Sequence, residues 1–386
     1  MGNITETLGK NRCSSCGMCY SVCPKNCIDV IYDKKQGFYY PAVNAELCIN
    51  CGKCLSCCPS NYEKTESYVG NYQEILLAHS TDNKVRHEAT SGGVVNSLVS
   101  YAVKNHILDV VLMVVKDDSS PIGSAAVGIT IDNIERLSSS PRDFASRYVS
   151  VPVLKELKAL KSKYKKIGVV GTPCQIRAVK SFDKSIFTFG ITCSGVISYN
   201  ATQQYKKIQK KEEAAMYYRG NGWPGYNSLC DKESCVDCKH LGSYFERMFS
   251  SQIFKSPACR ECADHFAELA DISFCDYWSA EELKSEKEGN TCVIVRTEAG
   301  KQLLENSLRS EKIELVQKLS EEQLINSQKS VLRAKKDSDK NATEYRLFYR
   351  FIDFIFKHKI YKIFNKKIYN KFAWIHSKVI DKSINK

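Results

Sequence analysis

No apolar stretch of the 386-residue chain approaches the ~18 residues a membrane-spanning helix needs; the longest local candidate, VVLMVV at 110–115, has six. Glycine and proline are scarce, at 20 and 9 residues, which excludes a fibrous repeat or a largely disordered chain. There is no G-x-G-x-x-G and no G-x-x-x-x-G-K-[ST], so neither a Rossmann dinucleotide site nor a P-loop has support. The start, MGNITETLGKN, lacks a basic segment followed by an apolar one, so no secretory signal is read there and a cytoplasmic protein is expected. Acidic residues are scarce in one place. Residues 346–386 carry 11 Lys/Arg against Asp353 and Asp381, a net +9 of the total +13. The basicity therefore belongs to a tail, and nucleic acid is not an expected partner.

What is abundant is cysteine. Nineteen residues, an odd number in a chain with no export signal, argue against a disulfide framework and for metal. Ten of them fall within residues 1–62. Cys13-x2-Cys16-x2-Cys19-x3-Cys23-Pro24 and Cys48-x2-Cys51-x2-Cys54-x3-Cys58-Pro59 each match the run of bacterial two-cluster ferredoxins. Three cysteines two residues apart wrap one cubane, and the fourth reaches the other cluster. The expected ligand sets are Cys13, Cys16, Cys19 and Cys58 for one [4Fe-4S] cluster, and Cys48, Cys51, Cys54 and Cys23 for the other. Zinc prefers paired C-x2-4-C spacings and fits this block badly. Cys27 and Cys57 are left as buried thiols.

Residues 63–73 are polar and read as a linker. From 75 to 185, strand and helix alternate: a strand at 74–80, a helix opening at Thr90-Ser91-Gly92-Gly93, a buried strand at 109–116, another near 125–130, a basic helix at 155–165 and a strand at 166–171. This pattern predicts an α/β layer with a partly parallel sheet. Residues 186–330 open on a strand, FTFGITCSG, and then become cysteine-rich; 331–345 read as a second linker. In Lys166-IGVVG-TPC-QIRAV, Pro173 suits a first helical turn. That turn (Gly171, Thr172, Pro173, Cys174, Gln175), through its free amides other than at the proline, can hold a phosphate or the polar edge of a flavin, or nothing. Thr90, Ser91, Gly92 and Gly93 offer hydroxyls for an N-cap and glycines for close approach. The helix dipole there is expected to lower the Cys174 thiol.

Cys235-x2-Cys238 and Cys259-x2-Cys262 form a second cysteine group. Two such pairs suit a four-sulfur site for zinc or a third iron–sulfur cluster. Cys174, Cys193, Cys230 and Cys275 are alternative ligands, because spatial neighbours are not legible in sequence.

Together with the ferredoxin block, the motifs ATSGGVV (89–95), GTPCQIRA (171–178), CSGVIS (193–198), CRECADHFAELADISFCDYW (259–278) and NTCVIVRT (290–297) make residues 10–310 resemble the family of coenzyme F420 hydrogenase/dehydrogenase beta subunits. The resemblance implies an iron–sulfur flavoprotein oxidoreductase in which FAD links clusters to a two-electron carrier or substrate. Thr90–Gly93 and Gly171–Gln175 are then the expected FAD contacts. It also implies a reduced carrier such as ferredoxin, or a partner subunit, as electron donor. Coenzyme F420 or an intermediate of surface-polysaccharide synthesis would be substrate. The alternatives are an electron-transfer subunit with no substrate of its own, or a membrane-associated accessory protein of polysaccharide assembly. Where the family pattern has Gly-Asp-x-Trp, this chain has Cys275-Asp276-Tyr277-Trp278. The expected fold is a two-cluster ferredoxin domain (1–62), an α/β flavin-binding region (75–185 and 186–330) and a helical tail (346–386). In that tail Ile360, Phe364, Ile368, Phe372, Ile375 and Val379 keep helical spacing among lysines. Such a stripe suits either an anionic membrane surface, on the inner face of the membrane, or packing on the protein body.

Overall fold

The computed structural model describes residues 2–61 and 67–384. Met1 and Tyr62 at the ends of the first block, residues 63–66 of the expected linker and the last two residues of the tail lie outside the described residues.

In the first block, two short helices, Met18–Val22 and Lys53–Ser56, each start behind a left-handed glycine, Gly17 (φ 85°) and Gly52 (φ 72°). Strands β1 (Ile28–Asp33) and β2 (Phe38–Val43) pair antiparallel between them. Asp33 Oδ1 accepts from the Lys35 and Gln36 amides and so shapes the turn. The block is docked, not tethered. Leu154 N donates to Cys16 O at 3.0 Å, Ser21 Oγ to Leu154 O at 2.6 Å and Ser198 Oγ to Gln36 O at 2.6 Å. A Cβ on Gly17 would stand 2.8 Å from Pro152 O. Gly17→Ala is therefore expected to destabilise this docking by about 1–2 kcal/mol from the left-handed backbone alone, read as faster release of the block by limited proteolysis. Unchanged cleavage would contradict the contact.

The body is one mixed sheet. Its remaining strands are β3 (Glu74–Ser80), β4 (Val110–Lys116), β5 (Ser124–Ile129), β6 (Ile167–Gly171), β7 (Phe187–Ile191), β11 (Ile272–Asp276), β12 (Thr291–Val295) and β13 (Ile313–Lys318). A separate three-stranded sheet holds β8 (Ala215–Tyr217), β9 (Tyr226–Cys230) and β10 (Cys235–Lys239). The large sheet runs β13-β3-β12-β11-β7-β6-β4-β5. β4, β6, β7 and β11 are parallel neighbours; β12 is antiparallel to both β11 and β3. Five strands thus point their carboxyl ends to one edge. Their near-continuous apolar character follows from being covered on both faces. In β4, Val111 and Met113 face the core with Leu98 and Leu303, while Val110 and Leu112 face the core with Val179 and Leu154.

Two expectations change here. Residues 331–345 are not a linker: helix Lys329–Leu332 runs into a π-helical turn, Arg333–Asp337, then into helix Thr343–Lys357. Its polar side chains are held by buried partners, such as Lys336 Nζ on Glu268 Oε1 at 2.8 Å. The tail is two helices, Thr343–Lys357 and Lys366–Ile384, split by a turn at Ile360–Ile363, not one. The expected stripe packs on the body, with Phe372 buried and Ile360, Phe364, Ile368, Ile375 and Val379 against the same core. Tyr244 Oη to Phe364 O at 2.9 Å and Arg260 Nη1 to Asp353 Oδ1 at 2.8 Å pin it. Among the described residues no helix is long and apolar enough to cross a membrane.

Candidate functional site

Thiols of the first block fall into two groups. Cys13, Cys16, Cys19 and Cys58 line a cavity of about 290 Å³ with Cys54, Met18 and Tyr40. Burial, and then charge repulsion from Cys58, pushes the Cys16 thiol up to about 12; burial also pushes Cys13 up to about 11, against which Ser15 N donates to its sulfur at 3.4 Å. Cys23, Cys48, Cys51 and Cys54 line a second, smaller cavity of about 20 Å³. Cys27 joins it, with its Sγ 3.4 Å from Cys23 Sγ. Cys54 borders both cavities; apart from it, the first takes Cys13, Cys16 and Cys19 from one run and Cys58 from the other, and the second takes Cys48 and Cys51 with Cys23.

The central cysteines do not assemble as the pairing of Cys235 and Cys238 with Cys259 and Cys262 predicts. Cys235 faces Cys230 directly across the β9–β10 turn, and the two form a disulfide. Cys238 follows on the same strand, β10, beside Tyr205. Instead Cys174 and Cys193 join Cys259 and Cys262. Cys174 follows β6 and Cys193 follows β7, and the parallel register Gly171↔Gly190 sets those strand ends side by side. Burial first, and then repulsion from Cys259 and Cys262, raises the Cys193 thiol to about 11. Cys174 is raised well above its ordinary value by burial, so the expected helix-dipole depression is overridden. Gly195 N donates to Cys193 Sγ at 3.3 Å and Val196 N to Cys259 Sγ at 3.5 Å. Gly195 (φ 130°) must lack a Cβ, which would stand 2.6 Å from Lys255 Cε. Among the described residues no three His, Cys, Asp or Glu side chains converge on a single ion. All four thiols are half-buried, and Cys193 and Cys259 accept backbone N–H bonds, as the sulfurs of a [4Fe-4S] ligand set do. The strand-end positions of Cys174 and Cys193 were the sequence signal for this grouping.

The acidic cluster beside these thiols serves structure. Asp264 pairs with Arg177 at 3.1 Å, Asp271 with Lys180 at 2.8 Å and Glu268 with Lys336. His265 is buried, with Nδ1 3.1 Å from Cys193 O and Nε2 3.1 Å from Gln328 Oε1. Burial and then Lys335 push it down to about 4, so it stays neutral.

The two glycine turns lie along the carboxyl edge of the sheet, one at the end of β6 and the other at the end of β11, where ligands of such sheets bind. Thr172 opens helix Pro173–Phe182, with Gln175 Oε1 accepting from Thr172 N at 2.9 Å. Thr90 and Ser91 do not cap the helix at Val94–Lys104; left-handed Gly93 precedes it. Thr90 Oγ1 accepts from Ser146 N at 2.9 Å, and Ser91 Oγ donates to Asp276 Oδ1. One segment spans both turns, because Val151 O accepts from Gln175 Nε2 at 3.3 Å. Gly92 (φ 81°) lies so close to Gly289 O that a Cβ would stand 2.8 Å from it.

Sequence reasoning missed the centre of this wall. Arg219, 3% exposed, pairs with Asp276 Oδ2 at 3.0 Å and lies over Trp223 and Trp278 at 5.6 and 5.4 Å. Burial opposes its charge, but Asp276 and Tyr148 hold it charged. Arg219 Nε, Trp223 Nε1, Ser150 Oγ and Arg142 Nε are buried without a hydrogen-bond partner. Unpaired buried donors are costly, so each fits an absent acceptor. Cys275, where the family pattern has glycine, turns away. It packs against Cys292 and Phe266 on the other side of the strand, so its bulk leaves the Asp276 wall unaltered.

Residues 75–158 and 164–321 match the family models for the N-terminal and C-terminal parts of the coenzyme F420 hydrogenase/dehydrogenase beta subunit, and residues 12–62 match a 4Fe-4S dicluster domain. Similar proteins include coenzyme F420 hydrogenase subunit beta of Methanococcus voltae, 25% identical over 288 residues, covering 68% of this chain and 95% of that protein. Coenzyme F420 hydrogenase subunit beta of Methanosarcina barkeri is 23% identical over 300 residues, covering 69% and 93%. A chain of the F420-reducing [NiFe] hydrogenase complex from Methanosarcina barkeri has the same fold, with a TM-score of 0.54 and 20% identity over 71% of this chain and 93% of that one.

Proposed function

This chain belongs to the family of coenzyme F420 hydrogenase/dehydrogenase beta subunits, and from that premise we propose that it is an iron–sulfur flavoprotein passing electrons between a one-electron donor and a two-electron acceptor. The carrying observation is continuity. Cys16 O accepts from Leu154 N at 3.0 Å, Val151 O three residues earlier accepts from Gln175 Nε2 at 3.3 Å in the turn that carries Cys174, and Ser146 N donates to Thr90 Oγ1 at 2.9 Å, while Tyr148 Oη is 3.4 Å from Arg219 Nη1. One chain segment, 146–154, therefore touches the docked block and both glycine turns.

In this reading Cys13, Cys16, Cys19, Cys58 and Cys48, Cys51, Cys54, Cys23 hold two [4Fe-4S] clusters, and Cys174, Cys193, Cys259 and Cys262 hold a third. The turns at Thr90–Gly93 and Gly171–Gln175, with the free donors of Arg219 and Trp223, hold FAD. Bound there, the clusters carry single electrons and the flavin exchanges them in pairs. Arg219 supplies positive charge to an anionic ligand edge, Asp276 fixes the Arg219 fork, and the tilted ring pair of Trp223 and Trp278, with centroids 4.6 Å apart, keeps water from it. The acceptor in the relatives' printed names is coenzyme F420, and this chain's acceptor is assigned to that class. Anaerobic purification should return about twelve irons with bound FAD. Eight irons and no flavin after reconstitution would leave an electron-transfer subunit without a substrate of its own.

The tail supports a peripheral membrane contact. Leu347, Phe351, Phe354, Ile363 and Trp374 are each more than half exposed, although the expected stripe is spent on the body. Exposed Lys367 and Lys371 share a helix face with Trp374. Each lysine near an anionic surface contributes about 1 kcal/mol. Replacing both with glutamine should weaken binding to phosphatidylserine vesicles roughly thirtyfold, measured by co-sedimentation. Equal binding by the wild type to neutral and anionic vesicles would remove this reading.

A further inference from the structure

We propose that Lys335, with Lys255 beside it, is an electrostatic lever that sets the inner cluster, held by Cys174, Cys193, Cys259 and Cys262, at a higher reduction potential than the two clusters of the first block. This rests on the assignment of those four thiols to a cluster.

Lys335 sits in the π-helical turn Arg333–Asp337. Such turns insert an extra residue into a helix and re-aim side chains, often at functional sites. Here the turn drives a lysine inward, leaving it 4% exposed. Its Nζ donates to Cys193 O at 2.8 Å and to Asp264 O at 2.5 Å, both neutral carbonyls. The nearby Asp264 carboxylate is occupied by Arg177 at 3.1 Å. The negative groups acting on Lys335 are Cys262, Cys193 and Cys259, once a cluster holds them as thiolates, together with the Asp264 carboxylate shared with Arg177. Lys255 approaches the same thiols from the segment before Cys259, its stem packed on the Gly195 turn.

A buried ammonium whose neighbouring carboxylate is already paired with an arginine is costly. It persists where a cluster and its four thiolates supply the opposite charge. Reduction adds one electron to the cluster and takes its core from 2+ to 1+. No bond forms or breaks and no proton moves, so the added charge is met by lysines that are already present. Fixed positive charge in a medium of low dielectric favours the more negative, reduced form. Among the described residues, the cations near the first block's thiols are solvent-exposed and screened: Lys10 at one cavity, Lys25 and Lys53 at the other, Arg12 near Cys58 and Lys158 on Cys23 O. Electrons taken up by that block from a low-potential one-electron protein donor would then run inward, towards Tyr148 and Arg219.

The test is an EPR-monitored potentiometric titration with dithionite on the full chain, with iron counted in every sample and the inner signal assigned by its absence in Cys193→Ser. In Lys335→Met with full iron, the reduced-to-oxidised ratio of the inner cluster at fixed potential should fall at least about tenfold, which is 59 mV for a one-electron couple. The first-block signals should not move. An unshifted inner midpoint in iron-replete Lys335→Met overturns the lever. Should that variant lose iron, Lys255→Met is titrated in the same way; iron loss or an unshifted midpoint there also overturns it. A wild type with only the first-block signals instead overturns the third-cluster assignment beneath it.

Discussion

Cys193→Ser is expected to lower the iron content from about twelve to about eight per chain and to abolish flavin reduction by a one-electron donor. The inner group has no spare thiol in place. Cys230 and Cys235 are bonded to each other, and Cys275 faces Cys292 in another part of the core. The first block keeps its own ligands, so its clusters and their spectra should survive. Direct chemical reduction of the flavin by dithionite should survive as well, which separates a broken relay from a lost flavin. Cys235→Ser is the matched control, since it removes a cysteine of the same C-x2-C appearance that lies elsewhere. It should leave the iron unchanged. Iron loss in Cys235→Ser with retention in Cys193→Ser would reverse the assignment and restore the grouping suggested by sequence spacing.

The second large effect belongs to Arg219. Arg219→Met keeps the length of the stem and removes the fork. Asp276 then loses its cation while it still receives Ser91 Oγ, and the cation–π contacts with Trp223 and Trp278 disappear. Breaking a buried pair from one side costs about 3–5 kcal/mol, so the denaturation midpoint should drop clearly. The purified variant should also carry little or no FAD, because the buried unpaired donor at Arg219 Nε is gone. Arg219→Lys retains charge but not the planar fork, and should recover stability better than flavin content. If Arg219→Met instead retains full flavin while losing stability, the residue is a structural ion pair and the flavin wall lies elsewhere.

The parts of this protein legible in sequence are those whose chemistry is local. Two C-x2-C-x2-C-x3-C-P runs place three cysteines on one tight loop whatever the rest of the chain does. The alternation of apolar strands and helices from 75 to 185 pointed to a partly parallel sheet, and β3, β4, β5, β6 and β7 lie at the expected positions. The turn GTPCQ was readable because Pro173 and Gln175 act within one helical turn. The Thr90–Gly93 turn was readable in place but not in use. Its hydroxyls are claimed by Ser146 and Asp276, distant in sequence, rather than by the following helix.

Everything that depends on register or burial was decided by the tertiary structure. The spacing of Cys235, Cys238, Cys259 and Cys262 looked self-sufficient. Antiparallel pairing then matched Cys235 to Cys230, and parallel pairing of β6 with β7 put Cys174 beside Cys193. Residues 331–345 carry the composition of a linker, yet a π-turn buries Lys335 against two carbonyls. Sequence determined which thiols, glycines and charges the chain owns, because composition and short-range spacing are properties of a few neighbouring residues. Only the fold decided which of them meet, because a one-residue difference in pairing or helical phase sends a side chain to the opposite face.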